Sequence, residues 1–103
     1  MKPKHTDGPW KAVKPLFYNP NSVRHIVDAD NRLIARVDFA NAAQSENEAI
    51  ANAVLISQAP SMFSMLSEAL EEVEAFEKRS GVPQFSGWIT RARQVLVAAT
   101  DAP

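Results

Sequence analysis

Side chains able to do chemistry are few and scattered in this sequence. Only two histidines are present, His5 and His25. His5 lies in a polar N-terminal stretch and His25 in an alternating segment, and neither has a second ligand at the helical or hairpin spacing that a metal site needs. His25 falls between Val23 and Val27 on one strand face, which reads as a packed or edge histidine. Glu68, Glu71, Glu72, Glu74 and Glu77 form the densest group of titratable residues. Paired catalytic carboxylates need a pocket that separates their pKa values. These five fall on the polar side of an amphipathic pattern and read as a solvated acidic face. Three glycines are too few and too dispersed for a phosphate-cradling loop. Serine, histidine and aspartate occur together without a nucleophile-elbow context. Cysteine is absent, which excludes disulfides, thiolate metal sites and cysteine nucleophiles. No catalytic, metal-binding or cofactor-binding residue is expected, and no cofactor.

One segment has the outline of a nucleic-acid reader. In FEKRSGVPQFSGWITRARQ a helical pattern ends at Ser80, Gly81-Val82 forms a turn, and a second pattern carries Arg91, Arg93 and Gln94. A helix-turn-helix would lay that second helix in the major groove. Two positions argue against it. The motif wants a small residue four before the turn glycine, where Glu77 stands, and an aliphatic residue six after it, where Gly87 stands. The acidic helix beside it would also repel phosphate.

The elements that position these residues follow from periodicity. Residues 1–9 hold Pro3, Gly8 and Pro9 and read as a loose arm. Trp10 to Val13 is a candidate third strand, and Pro15 and Pro20 make the residues between them a loop or broken edge strand. Leu33, Ala35, Val37 and Phe39 alternate with Arg32, Ile34, Arg36 and Asp38, the period of a half-buried strand. Val23 to Val27 is its partner. Between them, Asp28 can open a type I turn and Asn31 can take a positive φ, which suits a short bulged hairpin.

The period then becomes helical. Ser45 and Glu48 form a capping box. A first helix follows through Ala49, Ile50, Ala53, Val54 and Ile56 to about Ala59. Pro60 fits the first turn of a second helix. There Met62, Leu66, Ala69, Val73 and Phe76 make an apolar stripe that Phe63 and Leu70 widen. Gly81 suits the C-terminal cap after Lys78 and Arg79. A third helix runs to about Ala99, with Trp88, Ala92, Val95 and Ala99 on its apolar face and Ile89 and Leu96 beside them. The expected fold is α+β: an antiparallel β hairpin of two or three strands, then three α-helices packed on one face of the sheet. Residues 10–99 should form a single domain, with a tail at 100–103.

With 103 residues, 46% of them hydrophobic, the chain can bury one core unaided. No apolar run reaches the roughly 18 residues that cross a bilayer, and the basic N-terminus is followed by no apolar signal segment, so a cytoplasmic protein is expected. The net charge of −1 gives no global pull toward nucleic acid or membrane. Its distribution is uneven: residues 1–44 carry seven Lys/Arg against four Asp/Glu, and residues 45–103 carry four against eight.

Four stretches resemble a known family. HTDGPW, IVDADNRLIARV, ENEAIANAVLISQAPSMFSMLSEALEEVE and WITRARQVL together resemble small phage and prophage proteins with an HTPGPW-like start, a VDADGRLIA-like hairpin and an EANARLIAAAPELLEALE-like helical signature. Asn31 stands where the turn glycine is usual, Val54 replaces an arginine, and Met62-Phe63 replaces a leucine-rich pair. The resemblance brings no catalytic residues. It implies a setting, an accessory protein of a temperate phage in the cytoplasm of its bacterial host.

The functional expectation is a non-enzymatic protein that binds a host or phage protein. Its candidate surface is Phe63, Leu70, Glu71, Glu74, Arg91 and Arg93. Phe63 and Leu70, seven residues apart on one flank, are the expected seam of any homodimer. The alternative is a small nucleic-acid-binding regulator using the helix at 86–94.

Overall fold

The computed structural model describes residues 4–15, 23–38 and 46–100. A three-stranded antiparallel sheet precedes three helices: β1 (Lys11–Val13), β2 (Arg24–Val27), β3 (Leu33–Val37), α1 (Glu46–Ser57), α2 (Ala59–Ser80) and α3 (Ser86–Thr100). The fold is α+β, and the third strand forms. The chain divides into two compact units, Thr6–Ser61 and Met1–His5 with Met62–Pro103.

In the sheet unit the strand order is β1-β2-β3, which places β2 in the middle. The registers pair Ile26 with Ala12 on one side and Ala35 on the other. Directly paired residues share a face, so Ile26 stands between two small neighbours and is fully buried. Helix α1 lies across all three strands and buries Ala49, Ala53 and Ser57. Their spacing of four puts small side chains on one stripe.

The β2–β3 turn follows the chemistry of its residues. Asn31 has φ of 63°, and its amide donates to the Asp28 carbonyl at 3.0 Å. The Asp28 amide donates to the Arg32 carbonyl. Asp28 itself is buried. Its Oδ1 accepts from the Asp30 and Arg32 amides, each at 2.9 Å, and its Oδ2 from the Arg32 guanidinium at 2.9 Å. A register shift lies between Ile26 and Val27, beside this turn. Leu33 sits just past it and is 60% exposed, so the alternation expected of β3 fails at its first residue. Phe39, residues 16–18 and the Ser45 cap lie outside the described residues.

The arm expected to be loose has packing partners. Within the sheet unit, Gly8 approaches Pro60 so closely that a Cβ on residue 8 would meet the proline Cβ at 2.8 Å. The Trp10 indole donates to the Thr6 carbonyl. The GPW and AP portions of the sequence, about 50 residues apart, thus meet.

The second unit is a helical hairpin. Leu70 of α2 is buried with Ile89, Ala92 and Leu96 of α3, and Phe63, Leu66, Val73 and Trp88 pack partly buried around them. The α2 stripe is therefore rotated from the expected one: Met62 and Phe76 are 52% and 44% exposed. On α3, Val95 faces outward and Ile89 and Leu96 take its place. Gly81, with φ of 72°, ends α2 and donates its amide to the Glu77 carbonyl.

Hydrogen bonds to the Asp28 carboxylate, first from the Arg32 amide and then from the Asp30 amide and the Arg32 side chain, hold its pKa below the ordinary aspartate value, with burial opposing them. The stability Asp28 supplies is complete above the unfolded-state value, about 3.9, and is lost as pH falls through the lowered folded-state value. Urea midpoints taken from neutral pH down to about pH 2 should therefore show Asp28→Asn weaker than wild type at neutral pH, with the gap closing below about pH 4. Two curves that stay parallel into acid would contradict this role.

Candidate interaction surfaces

Two apolar surfaces stand out, and each results from the way a helix is turned. On α1 the buried stripe is made of small residues, while three large aliphatic residues stay exposed. Val54, Leu55 and Ile56 are 52%, 58% and 40% exposed. A helix at the edge of a core ordinarily buries its large aliphatic residues. Here Ala49 and Ala53 are fully buried instead, which lets the α1 backbone approach the sheet closely.

The second surface is a groove of about 660 Å³ in the helical hairpin, lined by Ala69, Val73, Ala75, Phe76 and Phe85 together with Glu72 and Arg79. Phe85 precedes α3, and its ring lies 6.3 Å from that of Phe76. Its position is fixed by the turn: the Phe85 amide donates to the Glu77 carboxylate, and its carbonyl accepts from the Ile89 amide. Glu77, the residue that breaks the helix-turn-helix pattern, closes this turn.

The residues expected to form an interaction surface separate into different environments. Leu70 is 5% exposed and belongs to the α2–α3 core. It is not a surface residue, because α3 covers the flank it shares with Phe63. Phe63 is half-buried, with the His5 ring edge-on at 5.3 Å. The seam expected for a homodimer is thus occupied within the chain. Glu71 and Arg91 are exposed. Glu74 and Arg93 form an ion pair across the two helices at 2.5 Å, so the Arg93 charge is used inside the hairpin. A further concavity of about 560 Å³ reaches from Glu74 and Lys78 to Ser86 and Thr90, and the two carboxylates in its wall, Glu74 and Glu77, are those already bound to Arg93 and to the Phe85 amide.

Among the described residues no three His, Asp or Glu side chains come together as a metal site. Among them, too, no single helix is long and apolar enough to cross a membrane. The outward turn of Val54, Leu55 and Ile56 was not expected from the sequence. Its signal is the Ala49, Ala53, Ser57 series, small residues at a spacing of four that mark a close-packed helix face.

A family model described as Salmonella phage P22 protein Y8K6 matches residues 1–102. This agrees with the resemblance to small phage proteins at the level of a phage protein family. No curated protein matches, and no solved structure does.

Both partners of the Glu74–Arg93 pair are more than a third exposed, and such pairs contribute about 0–1 kcal/mol. Arg93→Ala should therefore change the urea unfolding free energy by less than about 1 kcal/mol. A loss of about 3 kcal/mol or more would mean that the pair behaves as a buried one.

Proposed function

Since the chain belongs to the Salmonella phage P22 protein Y8K6 family, we propose that it is a non-enzymatic accessory protein of a temperate phage or prophage, working in the cytoplasm of the bacterial host by binding another protein through the outer face of α1. The observation that carries this reading is the exposure of Val54, Leu55 and Ile56 on a helix whose inner face is already filled by alanine. Contiguous exposed aliphatic residues on a small domain mark a contact surface. Leu55 points directly away from the buried stripe, with Val54 and Ile56 about 100° to either side of it, so a partner surface centred on Leu55 would reach the other two at its edges, and Glu46 and Glu48 at the α1 start would lie nearby, where charge sets partner choice more than affinity.

Two further features favour a protein partner over nucleic acid. The Arg93 guanidinium is engaged by Glu74, which leaves Arg91 without its expected companion for a phosphate. The α2 side of that region carries Glu68, Glu71 and Glu72, all exposed, and anionic surface opposes phosphate binding.

A photo-crosslinking amino acid at position 55, compared with the same group at position 71 in phage-infected host cells, tests the assignment. Position 55 should give a discrete protein adduct that position 71 does not, and Val54→Asp in the same chain should abolish it. In parallel, fluorescent duplex DNA at about 0.15 M salt should bind no tighter than the non-specific range of roughly 10⁻⁴–10⁻⁶ M. Equal adducts from both positions, or submicromolar DNA binding lost in Arg91→Ala, would overturn the reading.

A further inference from the structure

We propose that the groove beside α2 is occupied by the same groove of a second copy of this chain, in an antiparallel pair whose two-fold axis passes between Glu72 and Arg79. The inference is independent of the α1 reading: it concerns a different helix and a different partner.

The groove is built for a helix. Its lining combines small residues, Ala69 and Ala75, with two large rings, Phe76 and Phe85. Phe76 and Phe85 are 44% and 41% exposed, and Val82 just beyond the helix is 49% exposed. Small residues beside large ones let two helices approach with the large side chains of each lying over the small ones of the other. In an antiparallel pair with its axis between residues 75 and 76, Phe76 of one copy lies over Ala75 of the other.

The charges select the occupant. Glu72 and Arg79 stand seven residues apart on the same stripe, roughly 10 Å along the helix. Both are exposed, and among the described residues neither takes part in an ion pair. An unrelated partner would need a base and an acid at a matching spacing. A second copy turned by a two-fold axis supplies both, because Glu72 then faces Arg79 of the other copy and Arg79 faces its Glu72. A two-fold interface is self-complementary in this sense. The contact covers about two turns of helix and is therefore small, which places it among weak dimers rather than obligate ones.

Sedimentation equilibrium of the full chain from about 1 µM to about 500 µM, a range that brackets micromolar association, provides the test. Wild type should pass from monomer to dimer. Glu72→Arg alone and Arg79→Glu alone should each weaken dimerisation about tenfold or more, since each sets like charges face to face at two symmetric places. The two single variants, mixed, should form a heterodimer, and the double swap should dimerise like wild type. Both substituted positions are exposed, and unchanged circular dichroism confirms that the variants fold. A wild-type chain that stays monomeric through the series overturns the proposal. So do single variants that dimerise as wild type does, or a mixture that shows no heterodimer.

Discussion

Burying Leu70 against Ile89, Ala92 and Leu96 fixes how α2 is rotated about its own axis, and what that helix shows to the outside follows from this contact. Successive residues are about 100° apart around a helix. With Leu70 turned to α3, Phe63, Leu66 and Val73 fall on the same side and become half-buried. Ala69 and Phe76 are carried about 100–120° away and line the groove. The apolar surface of α2 is wider than one neighbouring helix can cover, so the choice of inner stripe is also the choice of outer stripe.

The same constraint acts on α1 with a different outcome. Its inner stripe is made of Ala49, Ala53 and Ser57, which permits a close approach to a sheet whose central strand carries the fully buried Ile26. The consequence is that Val54, Leu55 and Ile56 have no inner position left to occupy. A local device supports the sheet beneath: Asp28 satisfies two backbone amides and one guanidinium with a single carboxylate, and Asn31 accepts the left-handed conformation in place of glycine. Such turn chemistry sets the β2–β3 register, which pairs Ile26 with Ala35.

The sequence made element order and most element bounds legible, because period-two and period-3.6 patterns are local. The 28–31 turn was readable for the same reason: Asp28 and Asn31 act on their own backbone. Gly81 and Pro60 announced a helix end and a helix start that the structure places within a residue. Rotational setting was much harder to read. Met62, Leu66, Ala69, Val73 and Phe76 form as regular a stripe as Phe63, Leu66, Leu70 and Val73, and only the identity of the packing neighbour decides between them. On α3, Val95 and Leu96 compete in the same way, and Leu96 is the buried one. Leu70 therefore left the set of candidate surface residues once α3 covered it. Gly8 against Pro60 was illegible for a different reason, since contacts between residues so far apart in the chain have no local pattern.

The rotation of α2 is tested most directly by comparing two truncations in the full chain, Leu70→Ala and Phe76→Ala, each followed by urea unfolding of the helical circular dichroism signal at a concentration where the chain is monomeric. With Leu70 in the core, its truncation should cost about 2–5 kcal/mol, and Phe76→Ala, at a half-exposed position, should cost clearly less, about 1 kcal/mol or below. The reverse order, with Phe76→Ala the more damaging, would contradict the account, because it would mean that the helix turns the 62–69–76 stripe inward.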